Sequence, residues 1–189
     1  MSQNRYTKEA VGPRIQAFLT PVLERACLKL KFEIGEGETR HPDFENPNVL
    51  VKFSGPDIDA LLANKAELLL ALEHLTMEVL RMAPEDHSLL CFDANDYRML
   101  RIEELRLSAV TAAEKVKRSG VPFRFNPMNS RERRIIHLAL RDEPAVRSES
   151  AGVGPHRQVV IYPAGMPSQP FQDAVAAPAS RAPMRRGRR

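Results

Sequence analysis

Residues 127–140 read Pro127-Met128-Asn129-Ser130-Arg131-Glu132-Arg133-Arg134-Ile135-Ile136-His137-Leu138-Ala139-Leu140. Asn129 or Ser130 suits the cap of a helix that runs to Leu140. At about 100° per residue, Arg133, His137 and Arg141 fall within an arc of roughly 80°. Ser130 and Arg134 lie in or beside that arc, while Ile135, Ile136 and Ala139 take the opposite side. One face is therefore core, and the other is cationic and rich in hydrogen-bonding groups. Arg133 and His137 stand at i and i+4, side by side on the helix surface. A guanidinium fork beside an imidazole suits a phosphate oxygen or a base edge. The same pattern also describes the solvated face of an ordinary amphipathic helix, so the flanking sequence has to decide.

Downstream, strands are expected over residues 145–150 and 157–162, joined by a loop holding Gly152 and Gly154. Upstream, a long helix over residues 93–119 carries Tyr97, Leu100, Leu105, Val110, Ala113 and Val116, and Gly120 stops it. Residues 121–125 are extended, and of Phe123 and Phe125 one could stack a base while at least one belongs to the core. This half reads α-β-α-β-β.

Further upstream, helical spacing begins at Pro13 with Ile15, Phe18, Leu19, Val22 and Leu23 on one side, and Pro21 is expected to kink or split the helix. Alternation marks strands over 28–38 and 49–53. A short helix to Leu62, a Leu-rich helix over 66–82 and a strand over 88–92 follow. This half reads α-β-β-α-α-β. Short strands with helices packed on them define an α+β fold. Two small domains are expected, 13–92 and 93–162, with the boundary near 93–96. Residues 1–12 read as a flexible start. Residues 163–189, rich in Pro, Ala, Ser and Arg without apolar period, read as a disordered basic tail.

Charge sharpens the picture. The chain of 189 residues has a net charge of +4, unevenly placed. Residues 1–83 carry 10 basic and 12 acidic side chains, whereas residues 115–157 carry 10 basic and 4 acidic. Phosphate binding needs such clustering rather than a high total. Cys27 and Cys91 stand far apart with no metal-ligand spacing, and read as reduced, buried thiols of a cytoplasmic protein. No signal segment and no membrane insertion are expected, since no apolar run approaches the roughly 20 residues of a span.

The stretch 127–140 resembles the Arg-x-x-x-His nucleic-acid-binding domain of the bacterial Jag (KhpB) family, with Arg133 and His137 at the two naming positions. Residues 146–161 also resemble that family: Ser150, Gly152, Gly154 and Arg157 match its Ser-Glu-Gly-Glu-Gly loop and the Arg before a Val-Val-Ile strand, while Ala151 and Val153 depart. Asp93, Tyr97 and Arg98 fit the start of the domain's first helix. The likeness covers roughly residues 88–162. It implies a KH-like domain upstream, of the type II order, and residues 13–92 have that order. A KH domain clamps phosphates with a Gly-x-x-Gly loop. Here that slot reads Leu62-Ala63-Asn64-Lys65-Ala66-Glu67, with alanine for both glycines. A Cβ at each position blocks close backbone approach and disfavours positive φ. Lys65 is left as the phosphate contact, and this unit is expected to bind RNA weakly.

What the resemblance implies is single-stranded RNA binding, with single-stranded DNA as the other ligand, and a role in post-transcriptional regulation or as an RNA chaperone. Arg133, His137, Arg157, Arg134, Gly152, Gly154 and Lys65 are the expected nucleic-acid-binding residues. A small KH-domain protein is an implied partner. The other reading is a protein–protein adaptor near a membrane insertase or ribosome, with RNA secondary. Enzymatic readings lack parts: there is no phosphate loop, nucleophile elbow or His/Cys metal spacing, and no cofactor is implied. His137 as a general base in RNA cleavage would need a second positioned group, and the sequence nominates none.

Overall fold

The computed structural model describes residues 5–37 and 41–168. Helix α1 (Lys8–Arg25) begins ahead of Pro13, so the loose start expected over residues 1–12 ends by Thr7. The Thr7 hydroxyl caps the helix by accepting from Ala10 N at 3.3 Å. Val11 extends the buried stripe of Ile15, Leu19 and Leu23, and Tyr6 packs beside it. The helix runs through both Pro13 and Pro21 without splitting. Burial of Ile15 and Leu19 on one side of Pro21 and Leu23 on the other holds a continuous axis.

Strand β1 (Lys31–Glu36) pairs antiparallel with β2 (Val49–Ser54), which pairs parallel with β3 (Leu90–Ala94). A 3-10 turn, Pro84–Leu89, occupies the start of the strand expected from residue 88. Helix α2 (Ile58–Leu80) packs against β3 and is broken at residues 63–66. Asn64, Lys65 and Ala66 have φ of 51°, 62° and 59°. The turn thus adopts the left-handed conformation that its lack of glycine was expected to disfavour. Its surroundings impose it: Leu61 and Leu69 on either side and Ala66 itself are fully buried, and the Tyr97 hydroxyl donates to Lys65 O at 3.0 Å.

Beyond β3 come α3 (Tyr97–Ser119), β4 (Phe123–Arg124), α4 (Ser130–Ala139), β5 (Val146–Ala151) and β6 (Gln158–Pro163). The second sheet has the order β4-β6-β5, antiparallel throughout. Its core joins Ile102, Leu105, Ala109, Ala113 and Val116 of α3 to Ile135 and Ile136 of α4 and to Val159 and Ile161 of β6. Leu100 and Val110, expected on the buried stripe of α3, are 61% and 48% exposed, because the stripe runs through 102, 105, 109, 112, 113 and 116.

The chain stays anchored past residue 163, where the tail was expected to begin. Ala164 N donates to Ala145 O at 3.1 Å, and Arg147 donates to Met166 O at 2.7 Å and to Ser168 Oγ at 3.1 Å. Residues 169–189, and the basic tail read there, lie outside the described residues. No helix among the described residues is long and apolar enough to cross a membrane.

A polar lattice ties the two halves together along the outer edge of β3. Arg98 donates to Phe92 O at 2.7 Å and pairs with Glu73 and, at 3.1 Å, with Glu45. Arg131 donates to Leu90 O at 2.9 Å and to His87 O, and pairs with Glu73 at 3.1 Å. Glu73 accepts from Phe92 N at 2.8 Å. Side chains of α2, α3 and α4 therefore saturate backbone groups that a further strand would otherwise take. Burial opposes charge on Arg98, but Glu73 beside it, with Cys91 and Glu45, raises its pKa well above the ordinary value. Cys91 sits in this lattice, and burial pushes its thiol up to about 11. Cys27, expected to be buried, is exposed, with φ 55° just past the end of α1.

Candidate nucleic-acid interface

The start of α4 is held by a capping box. Asn129 Oδ1 accepts from Glu132 N at 3.0 Å, and Glu132 accepts from Asn129 N at 3.1 Å. Glu132 also pairs with Arg101 of α3 at 2.7 Å. With Ile135 and Ile136 seated in the core, the rotation of α4 is fixed. Arg133 is then partly buried and donates from Nη1 to Met128 O at 2.8 Å. Met128 N in turn donates to Arg157 O at 3.1 Å. These bonds bring Arg133 and Arg157 together, and burial, then the Arg157 charge, lower the pKa of Arg133.

His137 shares the face of Arg133 but turns its ring toward β5. Its Nδ1 lies 2.7 Å from Ser148 Oγ and its Nε2 3.0 Å from Ser150 Oγ. Burial, then the Arg133 charge, hold its pKa below the ordinary 6.5. The ring is therefore neutral at pH 7, and a neutral imidazole has one donor and one acceptor nitrogen. One serine accepts from the ring and keeps its own O–H for another partner. The other gives its O–H to the ring and keeps lone pairs free. Both ring nitrogens are already engaged, so the polar groups His137 contributes to a ligand are these two hydroxyls.

The other expected site residues divide. Gly152 and Gly154 have φ of 90° and 52°, values that disfavour any side chain. A Cβ on Gly154 would meet nothing within 4 Å, so the space beside it is open. Arg157 is exposed. Arg134 is also exposed, but it lines a groove with Pro42, Phe44, Glu85 and Arg131, apart from Arg133. Lys65, distant in sequence, lines the same open cleft as Arg133 and Gly154, of about 620 Å³. Phe123 and Phe125 are both partly buried and pack on the second core, with ring centroids 5.1 Å apart.

Ser148 is not among the residues that the sequence reading singles out. The signal is present in the period of β5: Val146, Ser148 and Ser150 share a face, and Val146 belongs to the core. Two hydroxyls at core-facing positions of a strand call for a polar partner across the layer. Among the described residues no group of three His, Cys, Asp or Glu side chains is placed to hold a metal.

Comparison with known proteins agrees with this geometry. The family model of the Arg-x-x-x-His domain matches residues 103–163, which span α4, β5 and β6. The RNA-binding protein KhpB of Clostridium symbiosum is 31% identical over 154 residues, covering 82% of this chain and 67% of that protein. The RNA-binding protein KhpB of Bacillus subtilis is 32% identical over 110 residues, covering 57% of this chain and 53% of that protein. The protein of the same name from Lactiplantibacillus plantarum is 29% identical over 129 residues, 68% of this chain and 40% of that protein. The chain thus spans only about half or less of the latter two relatives. With the extent of the first match and the Arg133–His137 helix set on its serine-bearing strand, the chain belongs to the Jag/KhpB family.

Proposed function

We propose that the protein binds single-stranded RNA and performs no chemistry on it. The observation that carries this reading is the cluster of Arg133, Arg157 and the Ser148–His137–Ser150 arrangement on one side of the second sheet. Two guanidinium groups supply charge for phosphates, and the two serines offer one donor and one acceptor for phosphate or ribose. Gly152 and Gly154 keep the adjoining loop open. The relatives named as RNA-binding proteins support RNA over DNA. Residues 93–162 act in this reading as the nucleic-acid-binding domain, and residues 13–92 as a KH-like domain. A role in post-transcriptional regulation, in the cytoplasm and with a small KH-domain protein as partner, belongs to the same proposal. The two unpaired thiols fit a reducing compartment.

Arg157 provides the clean test. Its side chain is exposed and makes no hydrogen bond or ion pair among the described residues. Arg157→Ala therefore leaves the fold intact. It is expected to weaken binding of single-stranded RNA of any sequence and to reduce the slope of log K against log salt by about 0.7. Fluorescence anisotropy across a salt series measures both. Unchanged affinity and slope would remove Arg157 from the interface, and absence of binding by the unaltered protein would end the proposal.

His137 gives a pH dependence. Its folded pKa lies below its unfolded one, so its contribution to stability is complete above about 6.5 and is lost as pH falls through the lowered folded value. Thermal melts from about pH 7.5 down to about 5 should show a decline that is shallower in His137→Gln. Bound phosphate favours the imidazolium, so saturating RNA should lessen the decline in the unaltered protein. Identical pH profiles for the two proteins would contradict this assignment.

A further inference from the structure

The turn at residues 63–66 stands opposite the start of α4, across the cleft that Lys65 shares with Arg133. Asn64, Lys65, Leu70 and Glu67 form one wall, and Pro127, Met128, Arg133, Gly154 and Pro155 face them. Two features make this juxtaposition fixed. The Tyr97 hydroxyl of α3 holds the Lys65 carbonyl at 3.0 Å. Glu73, on the same helix as the turn, binds Arg98 of α3 and Arg131 of α4. The charge in the cleft is also disposed for an anion. Glu132, the acid on the α4 side, is already matched by Arg101 at 2.7 Å, which leaves Glu67 as the one acid of the cleft without an ion-pair partner among the described residues. The Lys65 ammonium is exposed and has no ion-pair partner among the described residues.

We propose that this turn is one wall of a single nucleic-acid cleft, so that one RNA strand is gripped by Lys65 on one side and by Arg133 on the other. This rests on the RNA-binding reading above and extends it from one domain to both. A Gly-x-x-Gly loop grips phosphates with backbone N–H groups, which need a bare Cα. Alanine at both ends, with Asn64, Lys65 and the second alanine, Ala66, all left-handed, closes that route here. A side-chain cation at the crest of the turn supplies charge instead. The turn is then not a weakened separate site but the far rim of the Arg133 site. A strand must be long enough to reach both rims for Lys65 to matter.

The test uses the full chain and uridine-rich single-stranded RNA of two lengths, about four and about twelve nucleotides. Lys65→Ala and Lys65→Glu are compared with Arg157→Ala and the unaltered protein, with thermal melts confirming that the fold is kept. The expected result is a loss of roughly 3-fold for Lys65→Ala and roughly 10-fold or more for Lys65→Glu on the long RNA, from loss of one phosphate contact and then repulsion. On the short RNA, which Arg133 and Arg157 hold alone, the Lys65 variants should differ little from the unaltered protein. If the long RNA binds in an Arg157-dependent manner and neither Lys65 variant changes its affinity, the shared cleft is refuted and the site on the second sheet stands. If the unaltered protein binds neither RNA, the failure lies with the RNA-binding reading itself.

Discussion

Glu73→Ala is expected to lower the stability of the protein by about 3–5 kcal/mol, the usual consequence of removing one member of a buried ion pair. For a chain of this size that corresponds to a fall in Tm of roughly 10 °C or more. The Glu73 side chain is only 7% exposed and serves three partners: Arg98, Arg131 and the backbone N–H of Phe92. Forming the lattice carries a desolvation penalty that offsets much of its Coulombic gain, so its net worth against an apolar core is small. Breaking it is another matter. Without the carboxylate two guanidinium groups lose their shared counter-charge, with Glu45 left to pair with Arg98, and one strand N–H is orphaned. Glu73→Gln keeps an acceptor for Phe92 N and should lose less. Chemical denaturation of the three proteins gives the order directly. A Glu73→Ala protein within about 1 kcal/mol of the unaltered one would show that the lattice does not hold the halves together.

Arg133→Ala should reduce affinity for single-stranded RNA by about 10- to 100-fold, the equivalent of one charge-assisted hydrogen-bonded contact of roughly 1.5–3 kcal/mol. The effect exceeds that of Arg157 because Arg133 also organises the site. Its bond to Met128 O holds the turn that carries Arg157 O on its other side. Arg133→Lys keeps the charge and loses the fork, so it should fall between the two. Binding isotherms at fixed salt, with a melt for each variant, separate a lost contact from a lost turn. Equal affinity for all three would exclude α4 as the ligand-bearing helix.

Helix α4 is legible in the sequence because everything that makes it is local: Asn129 and Glu132 for the cap, and Ile135 and Ile136 for the buried edge. The glycine loop is legible for the same reason. What a pattern along the chain does not carry is which neighbour each polar residue meets. An arc of the α4 surface says that His137 is not among the isoleucines, but not that β5 returns with hydroxyls to receive it. Arg131 reads as one more cation of the motif, yet its partners Glu73, Leu90 and His87 are distant in sequence. Thr7 and Val11 give a weaker start signal than the proline further on, although they begin the helix. The left-handed turn goes against local preference for a physical reason: packing on both sides of Ala66 outweighs what the residues prefer alone.

The way the rim of β3 is closed also bears on how the molecule comes into being. A chain made from its amino end presents Leu90 and Cys91 well before Arg131 exists to cover them. The nascent first half therefore emerges with an open strand margin, available to other extended segments, until α4 has been synthesised and swings back. The carboxyl-terminal half is in this sense the intramolecular guardian of the amino-terminal one, and the two mature together rather than in succession.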